Sequence, residues 1–94
     1  MTERIDAVGP VLESGDVADA VVTAIRALNT DVAVEDHGSY LRVLVPGRCV
    51  VTRRAIEQAL CGRFELPSDL ERIMPSFKGR LTIDETQAEW GRPR

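Results

Sequence analysis

Histidine, aromatic residues and cysteine are scarce in this chain, and each scarcity removes a class of function. There is one histidine, His37, so a serine or cysteine nucleophile would have only that residue as its base. His37 lies in an Asp36-His37-Gly38 run, where a solvated loop histidine is the ordinary reading. A carboxylate-bridged diiron site needs Glu-x-x-His on two helices, yet position 34 is Val34 and there is no second histidine. A structural zinc site needs four ligands at suitable spacing, which Cys49, Cys61 and His37 do not supply. The aromatic side chains Tyr40, Phe64, Phe77 and Trp90 form no pair along a strand, as base-stacking RNA binders require.

Other absences bound the setting. No apolar run approaches the roughly 20 residues that span a bilayer. Met1 to Asp6 lacks the basic-then-apolar pattern of a secretory signal, so a cytoplasmic location is expected. Cys49 and Cys61 are then expected to be reduced and packed as small hydrophobes. The glycines at 9, 15, 38, 47, 62, 79 and 91 are scattered as turn residues and form no phosphate-cradling loop. The acidic pairs Glu35-Asp36 and Asp84-Glu85 fall at strand ends or turns, where carboxylates are solvated rather than set up for acid–base work. A net charge of −3 argues against non-specific nucleic-acid binding. Arg53-Arg54 is a local exception, read as solvated arginines at a helix start.

The 94 residues suffice for one small domain, and 44% hydrophobic content suits a globular one. The single domain spans 1–94, with residues 1–7 and 91–94 expected to be loose. A strand is expected over Val8 to Leu12. Ser14-Gly15-Asp16 then signals a helix start, with Asp16 as cap and Asp19 favouring the positive end of the helix dipole. Val17, Val21, Ala24, Ile25 and Leu28 recur at helical spacing, giving an amphipathic helix that ends near Asn29. Val32 and Val34 alternate with polar residues, and Tyr40 to Val45 is a strong strand with Leu41, Val43 and Val45 on one face. Pro46-Gly47 marks a turn, from which Cys49-Val50-Val51 is expected to pair back. Thr52 caps a second helix carrying Ile56, Ala59 and Leu60, with Gly62 placed to end it in a left-handed conformation. A short helical turn follows from Pro67 and stops before Pro75. Lys78 to Ile83 reads as one strand and Thr86 to Trp90 as a closing strand. The order predicts an α+β fold: a largely antiparallel sheet packed by two main helices and a short third helical turn.

Several pieces, in order and at near-constant spacing, carry a family resemblance. They are Val8-Gly9-Pro10 with Gly15-Asp16; Val34-Glu35-Asp36 before Tyr40-Leu41-Arg42-Val43; Val51-Thr52-Arg53 leading to Ile56-Glu57; Leu60-Cys61-Gly62-Arg63-Phe64; and Ser76-Phe77-Lys78-Gly79. From Val8 to Trp90 the chain resembles the effector, or coupling, proteins of bacterial multicomponent diiron monooxygenases. The toluene and alkene branch is nearer than the methane one. The resemblance implies a regulatory component with no catalytic residues, no cofactor and no metal. It implies docking on the large hydroxylase subunit over the helices that hold the diiron centre, in concert or competition with the reductase and ferredoxin components. It implies tuning of oxygen activation, substrate access and the coupling of electron transfer to hydrocarbon hydroxylation or epoxidation. Neither nucleic acid nor membrane is an expected partner.

The family offers no compact motif to carry over, so the docking residues are inferred from the two main helices: Val22, Ile25, Arg26, Asn29, Thr52 and Arg53. At about 100° per residue, Val17, Val21, Ala24 and Leu28 form one stripe, with Ile25 near its edge and Val22 further round. Val22 has two readings, core that wraps far enough to cover it or an apolar docking contact. Leu28 is expected to be central core. The alternative function is a small-molecule-binding regulatory α+β module, for which Gly9 to Asp16 is the candidate polar nest.

Overall fold

The described residues form seven strands and three helices: β1 (Ala7–Glu13), α1 (Asp16–Leu28), β2 (Ala33–Asp36), β3 (Tyr40–Pro46), β4 (Arg48–Thr52), α2 (Arg53–Leu60), α3 (Ser68–Ile73), β5 (Ser76–Lys78), β6 (Arg80–Ile83) and β7 (Gln87–Gly91). The structure is a computed structural model that describes residues 6–92. Ala7 and Gly91, expected in loose ends, belong to β1 and β7; the rest of both ends beyond Asp6 and Arg92 lies outside the described residues.

The α+β reading with antiparallel pairing agrees with the structure, but the strands divide into two sheets. One has the order β2-β3-β1-β5 and the other β4-β7-β6. One expected pairing and one expected strand are corrected. The Cys49 to Val51 segment does not return onto β3; it pairs with β7, placing Cys49 opposite Trp90 and Val51 opposite Ala88. The Gly47 N–H bonds the Asp6 carbonyl and turns the chain out of the first sheet. Likewise Lys78 to Ile83 is two strands. Gly79, at φ 109°, crosses from one sheet to the other, and a Cβ there would lie 2.6 Å from the Gly91 carbonyl and 2.8 Å from Val8. Only glycine tolerates both the conformation and the approach.

Between the sheets and helices sits one core. Its largest fully buried side chains include Trp90, Phe64, Leu12, Ile25, Ile56 and Leu70. Each such side chain contributes about 1.5–3 kcal/mol relative to exposure. Strand alternation works as read: Leu41, Val43 and Val45 are buried while Tyr40 and Arg42 face out. Helix α1 also buries Val21, Ala24 and Ile25, but Leu28 is 43% exposed. Leu28 has the angle of the buried stripe, but as the last residue of α1 it stands at the edge of the core, although Ile25 one turn earlier is fully buried.

Helix ends differ in detail from the sequence reading. Asp16 makes no capping hydrogen bond; Gly15 is the N-cap, and Asp16 and Asp19 lie in the first turn, where carboxylates suit the dipole. Thr52 caps α2 as expected, its hydroxyl accepting the Ala55 N–H at 3.1 Å. The left-handed C-cap of α2 is Cys61, at φ 59°, rather than Gly62.

Asn29 ends α1 and joins it to β4. Its side-chain amide donates to the carbonyls of Ile25 at 2.7 Å and Val50 at 2.8 Å, and its Oδ1 accepts the Val50 N–H at 3.0 Å. The side chain thus gives Val50 both bonds that a neighbouring strand would supply. Glu57 makes a second tie, accepting the Phe64 N–H at 2.9 Å and pairing with Arg53 at 3.3 Å.

Both cysteines are free, but burial pushes the Cys49 thiol up to about 12, whereas Cys61 is exposed. A thiol reagent at neutral pH is therefore expected to modify one cysteine rapidly in the native protein and two after denaturation. Equal rates for both native thiols would contradict the buried placement of Cys49. The Phe64 N–H, with Arg53 and Arg63 adding to it, holds the Glu57 carboxyl below its ordinary range. A depressed folded-state pKa stabilises fully above the unfolded value of about 4.3 and is lost as pH falls through the folded value. Melting of Glu57→Gln and the parent protein should therefore differ at neutral pH and converge below about pH 4. A gap that stayed constant across that range would contradict the assignment.

Candidate docking surface

The six residues inferred from the helices fare differently. Ile25 is fully buried and cannot touch a partner in this conformation, a correction to its place on the docking face. Seen along α1, the core spans the arc from Ala20 round to Ala18, and Ile25 lies within it. Val22, just beyond that arc, is half-buried and packed against the core edge. Asn29 and Thr52 are both half-buried and engaged in the helix-end bonds described above. Arg26 is exposed, with one long contact of 3.4 Å from its Nη1 to the Val32 carbonyl. Arg53 is half-buried, 3.3 Å from Glu57 and 3.8 Å from Glu65, which Arg63 also approaches at 3.4 Å.

Two residues with more open surface were missed. Leu28, at the tip of α1, is one of three large apolar side chains that stand exposed among the described residues; the others are Tyr40 and Phe77. Helical spacing alone assigns Leu28 to the core, and its place in the final turn was the available contrary signal. Arg54 is exposed and has no ion-pair partner among the described residues. It lies in the first turn of α2, which holds no acidic residue. A cation near the positive end of a helix dipole costs roughly 0.3–1 kcal/mol.

At the far end of the first sheet lies an open groove of about 690 Å³, bounded by the end of β1, the start of β3 and the Pro75-Ser76 segment. The β1–α1 connection and the β2–β3 hairpin meet there. Ser14 N–H donates to the Ser39 carbonyl at 3.0 Å, and the Ser14 hydroxyl to the Gly38 carbonyl at 2.8 Å. The rings of His37 and Tyr40 stack at 4.7 Å with 13° between their planes. His37 Nε2 faces Glu35 Oε1 at 3.2 Å, not a nucleophile. Among the described residues no group of three or more His, Cys, Asp and Glu side chains could hold a metal ion, and no helix is long and apolar enough to cross a membrane. The arrangement offers shape, charge and apolar contact for binding.

Comparison with known proteins gives these surfaces a family. The MmoB/DmpM family model matches residues 6–91. The effector subunit of the alkene monooxygenase system of Xanthobacter autotrophicus is 42% identical over 85 residues, covering 88% of this chain and 83% of that protein. A chain in the solved structure of a phenol hydroxylase–regulatory protein complex superposes with a TM-score of 0.79 at 16% identity, over 90% of this chain and 95% of its own, which is a likeness of fold. Matched from Asp6 to Gly91 and sharing two-fifths of its residues with an effector subunit, this chain belongs to the MmoB/DmpM family.

Proposed function

We propose that this chain is the non-catalytic effector subunit of a multicomponent diiron monooxygenase, docking on the hydroxylase and coupling electron delivery and oxygen activation to substrate oxidation. The observation that carries this reading is the 42% identity, over 88% of the chain, to an effector subunit of an alkene monooxygenase system. The fold shared with a chain of the phenol hydroxylase–regulatory protein complex supports it. Physically the action is allosteric. An effector that binds one hydroxylase conformation more tightly than another shifts the population towards it by its differential affinity alone. Such a protein needs a rigid, complementary surface, and a catalytic centre of its own would add nothing.

The contact face combines the tip of α1 and the start of α2. Leu28 supplies an exposed apolar contact, half-buried Val22 a separate one further round α1, and Arg26, Arg53 and Arg54 a cationic border. Apolar anchors within a polar, charged rim are the usual anatomy of a protein interface.

Titrating this chain into its cognate hydroxylase with the electron-transfer partners should raise product formation until about one effector is present per active site. Leu28→Lys should melt near the parent protein, because exposed substitutions cost within about 0.5 kcal/mol. It should require on the order of tenfold more effector for half-activation, equivalent to about 1.4 kcal/mol. Ile25→Lys should instead unfold. No response to the wild-type chain would refute the effector role; a normal response to Leu28→Lys would remove the α1 tip from the interface.

A further inference from the structure

The groove beside Tyr40 takes no part in the helical contact face. It is nevertheless built from complementary chemical parts. Glu13 and Tyr40 are cross-strand partners at the end of the β1–β3 ladder, a spacing that brings side chains on one face to about 5 Å. The Glu13 carboxylate is exposed and has no ion-pair partner among the described residues. Tyr40 is 38% exposed, and its ring stacks on that of His37. Ser14 and Ser39 add hydroxyl oxygens on the same rim. The walls are fixed before any guest arrives, since the two bonds from Ser14 bind the β1–α1 connection to the hairpin.

Local chemistry decides the kind of guest. The lining holds one carboxylate, Glu13, and one cation, Arg42. Arg42 lies two residues along β3 from Tyr40, opposite Val11 on β1 and Glu35 on β2. It repels a second cation from that end and leaves the Glu13–Tyr40 end as the cationic seat. A free carboxylate beside an aromatic face, with hydroxyl acceptors around them, matches a planar guanidinium. That group can form two parallel hydrogen bonds to the carboxylate and stack on the ring, which a lysine ammonium cannot do. The groove is also open to solvent, whereas small-ligand sites enclose most of their guest. Its shape therefore suits a side chain entering from a partner surface.

We propose that the Glu13–Tyr40 groove receives an arginine side chain of the hydroxylase, a second anchor at the opposite end of the molecule from the α1 tip. The proposal rests on the effector reading above. The seat itself is testable on the chain alone, by amide NMR of the full-length protein with N-acetyl-arginine amide as probe and the lysine and glutamate amides as controls. Saturable shifts are expected at Glu13, Ser14, Ser39 and Tyr40 with the arginine amide, several-fold weaker with lysine and absent with glutamate. They should be lost in Glu13→Gln and in Tyr40→Leu, both melting near the parent protein. In the activation titration, both variants should need several-fold more effector and reach the same maximal rate. Arginine shifts no stronger than those with lysine, or unchanged in Glu13→Gln, would overturn the seat. Groove variants that activate at the wild-type concentration would overturn its use in docking. A wild-type chain that binds the arginine amide and fails to activate would instead sink the effector reading on which the proposal stands.

Discussion

The structure depends on one side chain standing in for a strand. β4 leaves the first sheet at Gly47 and pairs with β7 on one side only. Its other edge would present an unmet N–H and carbonyl at Val50, and a buried orphan of that kind costs about 1–3 kcal/mol. Asn29 meets both groups and also accommodates the Ile25 carbonyl at the end of α1. One amide thus terminates a helix, closes a sheet edge and locks the first third of the chain to the second sheet. The separation into two sheets is tolerable because that edge is closed by a residue from another element.

Local chemistry made much of this legible. The spacing of Val17, Val21, Ala24 and Ile25, the alternation of Leu41, Val43 and Val45, and the Thr52 cap are properties of a few neighbouring residues, and each appears as read. What escaped was long-range. Nothing near Cys49 says that its partner is Trp90 rather than β3. The break at Gly79 looks, in sequence, like one more turn residue inside a strand, while its cause is the close approach of Gly91 and Val8. Leu28 illustrates the same limit in the surface. A helical projection gives direction around the axis but not whether the core extends far enough along it. Asn29 was inferred as a docking contact from its face alone; its bonds to Val50, twenty-one residues away, could not be read from composition or periodicity.

Two separate regions of the molecule offer themselves to a partner, and they differ in character. The α1 tip and α2 start are apolar and cationic, with Leu28 exposed and Arg54 without an ion-pair partner among the described residues. The groove at the other end sets an aromatic ring beside one carboxylate, Glu13, with one cation, Arg42, further along it. In the proposed docking, two contacts of different chemistry would fix orientation as well as affinity, as an effector that selects one hydroxylase conformation requires.

Trp90, the one tryptophan, has a consequence for how the protein can be watched. It is fully buried in the second sheet, flanked across the ladder by Cys49 and Leu81, and its indole N–H has no hydrogen-bond partner among the described residues. The one tyrosine stands at the solvent edge of the first sheet. Nature has thereby given each sheet its own chromophore: indole emission follows the integrity of the second sheet, and phenol absorbance follows events at the rim of the first.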